Sequence, residues 1–209
     1  MIVSDSARVL FVHVQKTGGL TVQELLREAL PDAAPVQGLG GGRHARLGAA
    51  LKVRPELSDY FVFGFVRNPW ARMYSWYSMV QRRRESVEAG NEYVAEKLGR
   101  NHFWAKVMTD FPDFESFVIE GPREVKRLRV PQVRYLQARG RRADFIGRTE
   151  SLDADVRAVF GRIGLPAPAA TPHNNAGPPD DYRRHYTPLA RDTVAELFAQ
   201  DIKAFGYEF

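Results

Sequence analysis

Cysteine is absent from the 209 residues of this chain. Disulfide bonds, a cysteine nucleophile and cysteine-ligated zinc are therefore excluded. The histidines show none of the close spacings, such as HExxH, that are typical of metal sites. Because a chain of this length buries roughly 70% of its unfolded surface, it can fold without a metal or a disulfide. The sequence indicates neither a metal cofactor nor a thiol enzyme.

Long apolar runs are missing as well. No segment reaches the roughly 18 apolar residues of a membrane helix, so we expect no membrane span. The first segment, "MIVSDSARVLFVHV", contains Asp5 and has no basic n-region ahead of its apolar run, unlike a signal peptide. We therefore expect a cytoplasmic location.

Positive charge is in excess. The formal net charge is +5, and 24 of the 30 basic residues are arginine. Arginine makes bidentate contacts with phosphate, sulfate and carboxylate groups. The composition is compatible with a basic surface that only confers solubility, with a site for anionic small molecules, and with a nucleic-acid surface. The composition alone does not distinguish these three interpretations, whereas sequence motifs can.

Two apolar segments, "RVLFVHV" at 8–14 and "YFVFGFV" at 60–66, are predicted to form buried strands. A helical stripe, "LTVQELLREAL", follows the first strand, and a helix with Asn68 as N-cap and Pro69 at its first position follows the second. Strands that are apolar on both faces and alternate with helices are typical of a parallel sheet covered on both sides. We predict a single three-layer α/β domain over residues 1–209.

Weaker patterns complete the predicted order of elements. The segment "DFIG" at 144–147 is predicted to be a short strand, and Ser151 and Thr187 are predicted to cap two later helices. Residues 121–142 are very basic and are predicted to be irregular. No repeat and no internal linker interrupts the chain.

The segment "HVQKTGG", His13 to Gly19, lies where the first strand ends and the first helix begins. Glycines in such a turn let backbone N–H groups converge on one point, and the helix adds its positive dipole end. Lys16 contributes a full charge, while Thr17 and Thr21 contribute hydroxyl groups. The segment predicts an anion site for phosphate or sulfate, and an ordinary turn with a surface lysine is the alternative.

Two known nucleotide motifs do not fit the chain. A Walker A loop has the form GxxxxGK followed by Ser or Thr, whereas Lys16 precedes both glycines here. The segment "GLGGGR" at 38–43 lacks the last glycine of GxGxxG and follows no strand. Neither a kinase-type magnesium loop nor a dinucleotide fingerprint is therefore predicted.

Two segments together carry a resemblance to a known family. "FVHVQKTGGLTVQELL" resembles the 5′-phosphosulfate-binding loop, written PKTGGTS, of sulfotransferases that use 3′-phosphoadenosine 5′-phosphosulfate (PAPS). "FVFGFVRNPWARMYSWY" resembles their 3′-phosphate-binding segment, RxPxxRxxSxY. The residues that match in register are Arg67, Asn68, Pro69, Arg72, Ser75 and Tyr77. "DFIGRTESLDADV" and "DIKAFGYEF" look like later segments of the carbohydrate-type branch, which includes heparan and chondroitin sulfotransferases.

The resemblance implies a P-loop-NTPase-like fold and transfer of a sulfuryl group from PAPS to a hydroxyl group, with 3′,5′-ADP (PAP) as product and no metal. The acceptor implied by the branch is a carbohydrate or glycoconjugate. Lys16 would act on the leaving oxygen, and Arg67 and Ser75 would hold the 3′-phosphate. The residues implied for the 5′-phosphate are Lys16, Thr17, Gly18, Gly19, Leu20 and Thr21.

The chain departs from the family pattern at two positions. Gln15 replaces the usual proline, and Leu20 replaces the usual serine or threonine. A hydroxyl contact to the sulfate is therefore missing at Leu20. Thr21 and the backbone are the candidates to replace it.

A general base must take the proton of the attacking hydroxyl, and histidine suits this task. We choose His44, which follows the flexible "GLGGG" and lies between the two nucleotide segments, where related carbohydrate sulfotransferases place their base. A surface loop histidine is the alternative. His13 is expected to pack in the core, His102 to lie at a helix end, and His173 and His185 to flank a loop that could close over the nucleotide.

Two rival functions differ in kind from a sulfotransferase. A small-molecule or nucleotide kinase would need Mg²⁺ and a Walker lysine. A non-catalytic nucleotide-binding or RNA-binding module would use the basic face of the protein. The basic clusters at 82–84 and 125–142 are compatible with recruitment of an anionic acceptor and equally with a solvated surface. We expect a hydroxyl-bearing acceptor as the partner and no nucleic acid, and the sequence carries no indication of an oligomeric state.

Overall fold

The computed structural model describes residues 1–40, 42–138, 140–171 and 181–209, with the side chain of Lys97 left out. The chain divides into two compact units, and each unit is built from two separate stretches of sequence. The first unit comprises Met1–Arg67 with Gln132–Ala176, and the second comprises Asn68–Pro131 with Gly177–Phe209. We describe each unit by itself.

The described residues contain seven short strands and eleven α-helices. The strands are β1 (Ile2–Ser4), β2 (Val9–Val12), β3 (Ala34–Pro35), β4 (Phe61–Val66), β5 (Gln137–Ala138), β6 (Arg141–Arg142) and β7 (Phe145–Arg148). The helices are α1 (Gly19–Ala29), α2 (Leu47–Val53), α3 (Pro69–Glu88), α4 (Glu92–Gly99), α5 (His102–Thr109), α6 (Phe114–Ile119), α7 (Gly121–Glu124), α8 (Val133–Leu136), α9 (Leu152–Arg162), α10 (Pro188–Leu197) and α11 (Ala199–Phe205). Within these residues, no helix is both long and apolar enough to cross a membrane.

The first unit contains a five-stranded sheet with the order β3-β1-β2-β4-β7. The three strands β2, β4 and β7 are parallel, with Val12 opposite Gly64 and Val66 opposite Arg148. This parallel part confirms the two predicted apolar strands and the predicted strand at 144–147. The strands β1 and β3 run antiparallel to their neighbours and were not predicted, because two or three residues are too few to show a periodic pattern.

Helices cover both faces of this sheet. On one face, Val22 and Leu26 of α1 and Val156 of α9 belong to one buried cluster with Phe11 and Phe63 of the sheet. On the other face, α8 packs so closely that a methyl group at Gly64 would lie 2.4 Å from Cδ2 of Leu136. The predicted α/β class is therefore confirmed for this unit.

The second unit is helical, and its core contains Trp70, Trp76, Phe111, Phe117 and Phe198. Its first helix, α3, begins as the sequence predicts. The side chain of Asn68 accepts hydrogen bonds from the amides of Trp70 at 3.0 Å and Ala71 at 3.3 Å, which satisfies two donors of the first turn.

Two other predicted helix caps have different outcomes. Thr187 caps α10 as predicted, since its hydroxyl oxygen accepts from the amide of Ala190 at 3.2 Å. Ser151 stands at the N-cap position of α9, but its side chain makes no capping bond, so that prediction is wrong in its chemistry. The Ser151 hydroxyl donates instead to Asp155, whose carboxylate also accepts from the amide of Arg148 at 2.7 Å.

Candidate anion site at the carboxyl end of the sheet

The loop of residues 13–18 between β2 and α1, called the donor loop below, has an unusual backbone. Lys16 and Gly18 both adopt left-handed conformations, with φ of 67° and 74°. Left-handed residues that alternate with right-handed ones turn successive N–H groups toward one side, which forms a concave anion-binding nest. For Lys16, which has a Cβ atom, this conformation costs about 1 kcal/mol, and such strain is typical of functional sites.

Side-chain packing holds the donor loop in this shape. The buried hydroxyl of Thr17 donates to the carbonyl oxygen of Val14 at 2.9 Å, which closes the turn. A methyl group at Gly19 would lie 2.1 Å from Cδ2 of His13, so the His13 ring can take this place only beside a glycine. The predicted contribution of Thr17 is thereby limited, because its hydroxyl proton is directed away from any ligand, toward Val14.

The first turn of α1 adds donors to the nest. Gly18 is the N-cap of this helix, and no side chain of the described residues caps it. The amides of Gly19 and Leu20 therefore have no acceptor within the helix, and the helix dipole adds positive potential at the same point. The Leu20 side chain is 39% exposed, whereas Thr21 is buried. An anion in the nest would be bound mainly by backbone amides and Lys16.

His44 lies next to the donor loop although 31 positions separate it from His13. It ends a short 3-10 turn, Gly42–His44. Its Nδ1 atom lies 3.1 Å from the carbonyl oxygen of His13, and the two ring centroids are 4.5 Å apart. Since a carbonyl oxygen only accepts, the neutral His44 ring carries its hydrogen on Nδ1 and its lone pair on Nε2. This tautomer is the one that can accept a proton at Nε2.

His13 itself is a packed residue, as predicted. Its side chain is 3% exposed, and its ring stacks on Phe11 at 5.7 Å between centroids. Burial, with a smaller effect of the neighbouring His44, lowers the pKa of His13 to about 2. The His13 ring is therefore neutral at physiological pH, and its burial separates it from any acceptor.

The carboxyl ends of the three parallel strands meet at one edge of the sheet. The donor loop follows β2, Arg67 follows β4, and Arg148 is the last residue of β7. Ligands of parallel α/β sheets bind outside this edge. The arrangement places three cationic residues, Lys16, Arg67 and Arg148, at the carboxyl ends of three neighbouring strands of the first unit.

Residues that the sequence reasoning missed fix this edge. The side chain of Gln132, which is 0% exposed, accepts from the amide of Arg67 at 2.9 Å and donates to its carbonyl oxygen at 2.7 Å. The Thr149 hydroxyl donates to the carbonyl oxygen of Val66 at 3.1 Å. Polar residues directly after a predicted strand, as in "GRTE", were the available signal for Arg148 and Thr149. No local signal pointed to Gln132.

Two residues of the predicted 3′-phosphate segment lie in the second unit. Ser75 is a partly buried residue of α3, and its pairing with Arg67 on one phosphate stays a prediction. Arg72 is buried, donates to the carbonyl oxygen of Val130 at 3.4 Å and lies over the ring of Phe198. Arg72 therefore has structural contacts within its own unit.

The remaining histidines have separate surroundings. His102 is exposed at the start of α5, as predicted. His185 stacks on the ring of Tyr74 with 4.4 Å between centroids. His173, with most of the loop predicted to close over the nucleotide, lies outside the described residues. Among the described residues, no cluster of three or more His, Asp or Glu could hold a metal ion.

The basic cluster at 82–84 is partly structural. The Arg84 guanidinium donates to the carbonyl oxygens of Val107 and Phe111, at the end of α5 and beyond it, at 3.1 and 2.6 Å. The Arg83 guanidinium lies 4.0 Å from the centre of the Trp104 ring. These contacts stabilise the second unit and leave less of the cluster for an anionic partner.

Comparison with known proteins gives the family. The model of the sulfotransferase family matches residues 1–208. Carbohydrate sulfotransferase 14 of Danio rerio is 27% identical over 68% of this chain and 38% of its own length, and the same-named protein of Homo sapiens is 25% identical over 99% and 60%. The chain thus spans about 38% and 60% of these two relatives.

A third relative and the solved structures complete the comparison. An uncharacterized protein of Archaeoglobus fulgidus is 29% identical over 64% of this chain and 92% of its own length. No solved structure matches the chain significantly. Since the family model covers nearly every residue and agrees with the two motifs at the strand ends, the chain belongs to the sulfotransferase family, as the resemblance to its carbohydrate-type branch implied.

Proposed function

We propose that this protein transfers a sulfuryl group from PAPS to a hydroxyl group of a carbohydrate or glycoconjugate. The observation that carries the proposal is the position of His44 beside the donor loop, 3.1 Å from the carbonyl oxygen of His13. An anion site and a proton acceptor are thereby held at the same strand end. Family membership supports the reaction type.

The donor loop would bind the 5′-phosphosulfate of PAPS. Its left-handed residues Lys16 and Gly18 form the nest, and the free end of α1 supplies further amides. Gly19 fits this role because the His13 ring leaves no room for a side chain there. With β4 parallel to β2 beside it, the first unit is proposed to be a P-loop-like fold.

Lys16 would act on the leaving group. As the acceptor oxygen bonds to sulfur, the bond between sulfur and the bridging oxygen of the 5′-phosphate breaks, and negative charge develops on that phosphate. A cation aimed at this oxygen stabilises the transition state more than the ground state. Lys16 is the charged residue of the nest, so this role falls to it, and 3′,5′-ADP is the product.

His44 would accept the proton of the attacking hydroxyl at Nε2. Its Nδ1–H bond to the backbone of His13 sets the tautomer and the ring orientation. General bases of this kind typically contribute 10²- to 10⁴-fold to the rate. The mechanism needs no metal.

Arg67 would bind the 3′-phosphate, together with Ser75. An arginine fork matches a phosphate group in geometry and charge. The acceptor class rests on the names of the two relatives, which are both carbohydrate sulfotransferases. The kinase alternative is disfavoured because the donor loop has its lysine before the glycines and directs the Thr17 hydroxyl to Val14.

Transfer of ³⁵S from labelled PAPS to a panel of polysaccharides, oligosaccharides and simple alcohols tests the proposal. We expect label to enter at least one carbohydrate in the presence of EDTA, and no label to enter with Lys16→Ala. His102→Ala, a change at an exposed residue, is the matched control and should transfer normally. Label in no carbohydrate, but in a simple alcohol, would reject the acceptor class and retain the reaction.

A further inference from the structure

The side-chain amide of Gln132 makes the same two hydrogen bonds to the backbone of Arg67 that a paired β-strand residue would make. Its amide accepts from the Arg67 N–H at 2.9 Å and donates to the Arg67 carbonyl oxygen at 2.7 Å. Two such bonds exchanged with one residue are the pattern of a hydrogen-bonded pair in an antiparallel ladder. Gln132 is fully buried, so water does not compete for these bonds.

This pairing occurs just beyond the point where the backbone of β4 stops making strand-to-strand hydrogen bonds. The last β4 residue paired with β2 is Gly64, and the last paired with β7 is Val66. Arg67 therefore lies one residue beyond the ladder with β7 and three residues beyond the ladder with β2. The Gln132 amide bonds both backbone groups of Arg67 at that point.

Gln132 is itself held in place. It follows Pro131 and stands at the start of α8, where its carbonyl oxygen accepts from the amide of Tyr135 at 2.9 Å. Leu136 of the same helix packs on Gly64 of β4. The side chain that binds Arg67 is thus anchored to the strand that directly precedes Arg67.

We propose that Gln132 is the positioning residue for the 3′-phosphate contact. By fixing the backbone of Arg67, it fixes the direction in which the Arg67 side chain leaves the strand end, and so it sets the discrimination between 3′,5′-ADP and 5′-AMP. Binding geometries of this kind must be held to about 0.5 Å by the surrounding residues. The inference rests on the proposed function, in which Arg67 binds the 3′-phosphate.

If Gln132 only stabilised the fold, its substitution would affect nucleotide binding differently. The 5′-phosphate is proposed to bind in the donor loop, whereas the two Gln132 bonds described above go to the backbone of Arg67. General destabilisation would weaken the binding of both nucleotides by the same factor. A positioning role weakens the binding of 3′,5′-ADP alone, so the ratio of the two dissociation constants separates the roles.

Calorimetric titration with 3′,5′-ADP and with 5′-AMP measures this ratio in EDTA. Gln132→Met conserves volume but cannot make the two bonds. We expect it to reduce the ratio of the 5′-AMP dissociation constant to the 3′,5′-ADP dissociation constant about tenfold, the loss typical of one misplaced charged contact. Arg67→Ala should remove the discrimination, and adding Gln132→Met to it should change nothing further. Ser4→Ala removes a partly buried hydrogen bond of the same unit, to Asp32, and is the control expected to keep the ratio.

The outcomes separate the inference from the proposed function. A wild-type protein that binds 3′,5′-ADP and 5′-AMP equally would contradict both. Discrimination that survives Gln132→Met unchanged, or that Gln132→Met reduces further in the Arg67→Ala background, would overturn the positioning role alone. If Gln132→Met lowers stability too far for titration, Gln132→Glu keeps the bond to the Arg67 amide and should show an intermediate ratio, and an unchanged ratio there overturns the inference.

Discussion

The imidazole of His44 contacts His13 twice, through its Nδ1 atom at the backbone carbonyl oxygen and through ring centroids 4.5 Å apart. The His13 ring also packs against Gly19 at the start of α1. One buried histidine of the donor loop therefore contacts both the proposed base His44 and the start of α1.

Lys16 carries both charge and backbone strain. We expect Lys16→Ala and Lys16→Gly to reduce turnover by at least about 10²-fold, since the leaving phosphate loses its cation. The glycine variant should be about 1 kcal/mol more stable than the alanine variant, because glycine adopts a left-handed conformation without cost. Steady-state kinetics and urea unfolding measure the two effects. Equal stability of the variants would show that the loop relaxes in solution.

His44 should contribute to turnover and not to nucleotide binding. We expect His44→Ala to lower kcat by at least about 10²-fold while the dissociation constant of 3′,5′-ADP stays within a factor of two. Single-turnover kinetics and calorimetry give the two quantities. Normal turnover in this variant would assign the base to another residue.

Gly19 has no space for a side chain. A methyl group there would lie 2.1 Å from the His13 ring, and overpacking of this kind costs about 1–3 kcal/mol. We expect Gly19→Ala to lower the free energy of unfolding by that amount and to weaken 3′,5′-ADP binding. The double variant Gly19→Ala with His13→Ala should recover part of the stability, and a double variant no more stable than Gly19→Ala would mean that the ring is not the obstacle.

His13 should make stability depend on pH in the acid range. Its pKa is lowered to about 2 in the folded protein from the ordinary value of 6.5, mainly by burial. Below pH 6.5 the unfolded chain binds a proton that the folded protein does not, so stability falls with falling pH. The slope from this one group is about 1.4 kcal/mol per pH unit. Urea unfolding at pH 7.5 and 5.0 should show a smaller difference for His13→Gln than for the wild type, and equal differences would contradict the buried neutral ring.

The sequence was most informative about elements that are formed by contacts between residues close together in the chain. The strands β2 and β4 and the helix α1 follow from apolar runs and from a helical stripe of adjacent residues. The cap Asn68 is recognisable because its bonds reach only two and three residues ahead. The position of the donor loop could be predicted for the same reason.

What the sequence could not show depends on distant contacts. Gln132 and Arg67 are 65 positions apart, and nothing near either residue indicates the pair. The Ser151 hydroxyl prefers Asp155 to the helix amides because that carboxylate is also held by the Arg148 amide. Such competition between partners is decided by tertiary geometry and not by residue type.

Thermal unfolding with 3′,5′-ADP in EDTA tests the central claim most directly. We predict that this nucleotide, at a concentration one hundred times its dissociation constant, stabilises the wild-type protein by about 2.7 kcal/mol. The Arg67→Ala variant should lose most of this stabilisation. The stabilisation by ATP should not increase when Mg²⁺ is added. A protein that ignores 3′,5′-ADP and responds to ATP only when Mg²⁺ is present would contradict the account.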